Sequence, residues 1–108
     1  MINTRIYKPH SNVTKDILKD NNFKYIDGYY SYRFPVYKSN KTIVLWGLIS
    51  LDIENKTCYI NVIDNSNNTY AAYHNRVYGR NEVVNKIDLL IKEKMNQFVK
   101  MKIVKVVK

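Results

Sequence analysis

The sequence is short of the residues that most enzyme chemistry is built from, with one cysteine and two histidines in 108 residues. Cys58 alone cannot close an intramolecular disulfide, which predicts a reducing, cytoplasmic setting. His10 and His74 lie far apart in the chain and share no metal-ligand spacing with Cys58, so no metal and no cofactor is expected. Glycine is equally scarce. Gly28, Gly47 and Gly79 are isolated, so neither a P-loop nor a dinucleotide-binding fingerprint can be assembled. With only two prolines to interrupt it, most of the chain is predicted to lie in regular elements joined by Asn- and Asp-rich turns.

Long apolar runs are missing too. The longest, over 43–51, is broken by Gly47 and Ser50 and falls well below the roughly 20 residues that span a bilayer. No apolar leader follows Met1, and the expectation is an intracellular protein with no membrane partner. Hydrophobic residues at 45% and charged residues at 25% are those of an ordinary folded chain, which argues against intrinsic disorder. At this length one core can form, so a single domain over 1–108 is expected.

What the chain has in excess is positive charge and tyrosine. The formal charge is +9, and a field of that sign attracts phosphate backbones, anionic membranes or acidic protein surfaces. Residues 51–78 are slightly acidic. Residues 79–108 instead carry Arg80, Lys86, Lys92, Lys94, Lys100, Lys102, Lys105 and Lys108 against Glu82, Asp88 and Glu93, so the positive end is the C-terminal one. Ten tyrosines provide more amphipathic ring surface than a small core needs, and such rings suit an interface. Heavy use of Asn, Lys, Ile and Tyr resembles the style of AT-rich genomes, including phages and mobile elements.

Apolar spacing sets the predicted elements. Val13, Ile17 and Leu18 predict a short helix over 13–20 capped by Ser11 or Asn12. After the turn at Asp27 and Gly28, Tyr30, Tyr32, Phe34 and Val36 alternate with Ser31, Arg33 and Pro35, the period of a strand, with Pro35 marking an edge or a bulge. Residues 42–53 read as a strand apolar on both faces, the centre of the sheet, with Trp46 mostly buried. Strands over 57–64 and 69–74 complete an antiparallel meander. Asn81 caps a long helix whose stripe is Val84, Ile87, Leu90, Ile91, Met95 and Phe98. Residues 100–108, rich in β-branched side chains, predict a last strand joining the sheet, with a continued helix as the rival. The fold class expected is α+β: short N-terminal helix, four-stranded meander, long helix on one face, C-terminal strand.

No constellation for turnover stands out. His74 reads as a surface or partly packed histidine and Cys58 as a small hydrophobe on a strand face. Asp52 and Glu54 share a strand face but approach a turn beside Lys56, the pattern of a solvated strand end. Stacking rings and guanidinium groups interleave instead at Tyr73, His74, Arg76, Tyr78 and Arg80. Lys100, Lys102, Lys105 and Lys108 form a basic ribbon able to meet phosphates, although lysines on a terminal strand also guard an edge. The expected function is therefore non-enzymatic binding of nucleic acid through Tyr73, Arg76, Tyr78, Arg80 and these lysines. The alternative is a phage- or mobile-element-encoded inhibitor of the anti-CRISPR kind, docking in an acidic groove of a host nucleic-acid-processing protein.

Overall fold

The computed structural model describes residues 6–74 and 82–107. It is an α+β fold. A four-stranded antiparallel meander runs in the order β2 (Lys24–Ile26), β3 (Tyr29–Ser39), β4 (Thr42–Asp52) and β5 (Thr57–Asp64). A separate two-stranded sheet pairs β1 (Tyr7–Pro9) with β6 (Val104–Val106). Between these lie α1 (Lys15–Asp20), α2 (Ala71–His74) and α3 (Glu82–Lys100).

The turns follow from residue chemistry. Asp27 and Gly28 both have positive φ, at 51° and 88°, as do Asn40 and Lys41, at 50° and 68°. Two central residues at positive φ give a two-residue hairpin the twist of its strands. The third turn is closed by Asp52, whose carboxylate accepts from the Asn55 backbone N–H at 3.1 Å and from Asn55 Nδ2 at 2.7 Å.

Both longer helices stop in the same way. At the end of α3, Ile103 N–H donates to Phe98 O and Lys102 N–H to Val99 O, with Lys102 at φ 59°. At the end of α1, Phe23 N–H donates to Leu18 O and Asn22 N–H to Lys19 O, with Asn22 at φ 69°. Each is a Schellman closure, which turns the chain and buries the apolar residue that follows it. Phe23 and Ile103 are indeed both buried.

The core lies on one side of the meander. Leu45, Ile49 and Leu51 of β4 join Val62 of β5 and Phe34 and Val36 of β3 against Val84, Ile87, Ile91, Met95 and Phe98 of α3. Each of these side chains contributes about 1.5–3 kcal/mol by leaving water. Tyr7, Leu18, Phe23 and Val104 close the same cluster from β1, α1 and β6.

Several expectations need correction. The fourth strand of the meander is Lys24–Ile26, not 69–74; it is three exposed residues long and shows no periodicity. Over 69–74, Thr69 makes only an isolated bridge to Ile63, and the chain then coils into α2. Thr14, not Ser11 or Asn12, caps α1, accepting from Ile17 N–H at 3.2 Å. The C-terminal strand exists but pairs with β1 instead of the main sheet. Leu90 is 39% exposed, leaving the buried stripe of α3 narrower than expected. The proposed Asn81 cap lies outside the described residues. Pro35 sits at a register shift of β3, beyond the stretch paired with β2. No helix among the described residues is long and apolar enough to cross a membrane.

Candidate nucleic-acid interface

β4 is the central strand, but its two faces differ. Leu45, Gly47, Ile49 and Leu51 are buried, whereas Val44, Trp46, Leu48 and Ser50 are only half-buried. The helices and the small sheet bury their apolar residues with the first face, in one core. Trp46 is therefore covered less fully than the core residues of β4, because it lies on the face that the helices leave open.

Register defines what that open face carries. Lys24, Ser31, Ser50 and Tyr59 form one row across the four strands, and Ser31 Oγ and Ser50 Oγ are hydrogen-bonded at 3.1 Å. Arg33, Leu48 and Asn61 form the next row, and Pro35, Trp46 and Ile63 the one after. A groove of about 1020 Å³ runs over this surface, bounded by Lys24, Ile26 and Tyr29 on the β2–β3 hairpin and reaching Trp46 and Asn67. That size lies at the upper end of the range for pockets that enclose small ligands.

Trp46 is held in a fixed pose. Its indole N–H donates to Asn65 Oδ1 at 2.9 Å, and Asn65 Nδ2 donates to Ile43 O at 3.0 Å, tying the ring edge to the backbone of its own strand. The Arg33 guanidinium carbon lies 4.3 Å from the ring centroid, a cation–π contact. At the other end of the face, Tyr29 and Tyr59 meet edge to face at 5.8 Å, with Tyr59 53% exposed.

The groove is lined by Lys24 and Arg33 against the single carboxylate of Asp27. Among the described residues the one ion pair is Lys92 with Asp88 at 3.1 Å, on α3. Two further carboxylates, Asp64 and Asp52, are engaged by turn amides. Asp64 accepts from Ser66 N–H and Asn68 N–H. Asp52 is held below its ordinary range, chiefly by the Asn55 side-chain amide and then by its backbone N–H. Asp52 and Glu54 thus belong to a solvated turn.

The residues proposed from sequence are scattered. Tyr73 is 4% exposed, and its hydroxyl donates to the buried Asp88 Oδ1 at 3.1 Å, so this ring belongs to the core. Arg76, Tyr78, Arg80 and Lys108 lie outside the described residues. Lys100 ends α3, Lys102 occupies its left-handed cap, and Lys105 lies on β6 directly opposite Lys8. All three are exposed, and none lines the groove.

Both imidazoles act as local acceptors, His10 Nδ1 from Asn12 N–H at 3.1 Å and His74 Nε2 from Val62 N–H at 3.2 Å. Burial lowers the His74 pKa, and burial pushes the Cys58 thiol up to about 12, leaving it protonated at neutral pH. No three His, Cys, Asp or Glu side chains cluster as metal ligands among the described residues. Sequence reasoning missed the Arg33–Trp46 pair. Its signal was present in the alternation that puts Ser31 and Arg33 opposite Tyr32 and Phe34.

No family model matches the chain, and no curated protein matches its sequence. Among solved structures, the fold resembles that of a DUF1831 family protein from Lactobacillus plantarum, with a TM-score of 0.67 over 97% of this chain and 90% of that one. The two sequences are 12% identical, so the likeness concerns the fold alone.

Proposed function

We propose that this chain is a non-enzymatic nucleic-acid-binding protein that uses the open face of its meander. The observation that carries the reading is the groove itself, which an indole, the Arg33 guanidinium and Lys24 line together with one carboxylate, Asp27, that forms no ion pair with either cation among the described residues. Cations track phosphates and rings stack on bases, and this combination serves proteins that bind nucleic acid with little sequence preference. Lys100, Lys102 and Lys105 add to the field that draws a polyanion in, from outside the groove.

The test is direct binding of labelled DNA and RNA across a salt series. Affinity falling linearly with the logarithm of salt supports the reading. Failure to bind any nucleic acid at low salt rejects it, and turns attention to an acidic protein surface, the inhibitor reading, as the target of the same face.

A further inference from the structure

Four features of the open face concern what form of nucleic acid it takes. Its aromatic groups lie at separated positions on one strand pair, Trp46 near the middle of β4 and Tyr59 beside Ser50 near its C-terminal end. Four residues of strand rise separate those rows, about 13 Å. Between them the row of Arg33, Leu48 and Asn61 carries no aromatic ring, and Ser31 and Ser50 flank Tyr59. The Trp46 ring edge is fixed by Asn65, while the exposed Arg33 lies over one of its faces.

A duplex keeps its bases stacked inside and offers only edges and backbone to a sheet surface, whereas a single strand can lay an unpaired base on a ring. Exchange at Trp46 favours the base. Stacking one base is worth roughly 5- to 150-fold in affinity, against roughly 2- to 5-fold for an exposed cation–π contact. A guanidinium released from the ring is free to pair with a phosphate in its fork geometry.

We infer that the groove is a single-strand site in which Arg33 swings off the Trp46 indole, one unpaired base takes its place on the ring, and the freed guanidinium grips the adjoining phosphate. This rests on the nucleic-acid reading above and adds to it the form of the ligand and the order of contacts. Tyr29 and Tyr59 offer the next stacking surface along the strand, and Lys24 a second phosphate contact.

Trp46 is the one tryptophan of the chain, so its emission reports on this site alone. The experiment titrates the intact protein with a short oligothymidylate, the matching oligouridylate, a duplex of equal phosphate number, and an abasic strand of equal phosphate number. It follows both anisotropy of the labelled strand and tryptophan fluorescence. The expected result is saturable quenching by the two base-bearing single strands, which bind roughly 5- to 150-fold more tightly than the abasic strand. The preference between those two strands decides between DNA and RNA as the ligand. Trp46→Ala should bring their affinity down to the abasic level, with Trp46→Phe retaining part of it if the alanine variant folds poorly. Arg33→Ala should make the salt slope shallower by about 0.7, the share of one phosphate on a single strand. Binding of all four ligands with equal affinity and unchanged emission overturns the single-strand site while leaving nucleic-acid binding intact. Absence of any binding at low salt overturns both.

Discussion

Phe34 fills the space that a side chain at Gly47 would need: a β-carbon built on Gly47 falls 2.6 Å from the ring's Cε1 and 2.7 Å from its Cζ. The two residues are direct partners across β3 and β4. An aromatic ring laid over a cross-strand glycine covers backbone that would otherwise be bare, and it fixes the register of the two central strands. That register in turn sets Arg33 and Trp46 on the opposite face, so the groove depends on this core contact.

Gly47→Ala should therefore destabilise the protein. Alanine in a strand gains about 0.5–1 kcal/mol over glycine in backbone entropy. Overpacking against a buried ring costs about 1–3 kcal/mol and outweighs it. A lower urea midpoint with an unchanged slope is the expected reading. In a Phe34→Leu background the same substitution should lose most of its penalty, since the clashing atoms are gone and the two changes are coupled. An equal penalty in both backgrounds would show that the ring is not the obstacle.

Lys41→Gly should stabilise. Lys41 holds φ at 68° in the β3–β4 turn, a region that costs a side-chain-bearing residue about 1–2 kcal/mol. Glycine removes that strain and returns about 0.5–1 kcal/mol as extra freedom of the unfolded chain, leaving a net gain of up to about 1.5 kcal/mol. The sequence Asn-Gly is also the favoured pair for such a turn. Lys102→Gly at the C-terminal cap of α3 follows the same logic, with φ at 59°. A fall in thermal midpoint for either variant would contradict it.

How much of this was legible in the sequence depended on the range of the contacts involved. The hairpin turn at Asp27 and Gly28, and the stripe of α3 through Val84, Ile87, Ile91, Met95 and Phe98, are local patterns, and they are where the sequence pattern predicts them. The pairing of Tyr7–Pro9 with Val104–Val106 joins opposite ends of the chain through three residues each, too few to show a period. The difference between the two faces of β4 was hidden for a related reason. An apolar run such as 42–53 is apolar on both faces whether two layers cover it or one, and only the packing of α3 on the odd-numbered side decides. Tyr73 went the other way, because its partner Asp88 is a helix residue fifteen positions later, invisible to a search for local basic and aromatic clusters.

Stability should show a histidine-linked loss on mild acidification. His74 Nε2 accepts from Val62 N–H and so must be unprotonated in that bond, and burial lowers its pKa from the ordinary 6.5. A base whose folded pKa is depressed binds fewer protons folded than unfolded. Its contribution is therefore complete above 6.5 and is lost as pH falls below that value toward the folded pKa. The check is the difference in denaturation free energy between wild type and His74→Gln, which keeps an acceptor but cannot titrate. That difference should shift against wild type below pH 6.5 and be flat above it; a flat line throughout removes the linkage.

The last prediction separates the groove from the C-terminal lysines. Both are basic, but they lie on different parts of the molecule, and counterion release distinguishes a cation that touches a phosphate from one that merely adds to the field. Lys24→Gln and Arg33→Gln together should flatten the logarithmic salt slope by about 1.4 for a single strand, at about 0.7 for each phosphate contact. Lys100→Gln, Lys102→Gln and Lys105→Gln together should weaken binding at low salt and leave the slope nearly unchanged. Removing Lys105 also relieves its like-charge pairing with Lys8, worth roughly 0.2–1 kcal/mol of fold stability, so the triple variant should remain folded. If the triple variant takes the slope and the groove pair does not, the phosphates run along the small sheet and the end of α3, and the aromatic face serves another partner.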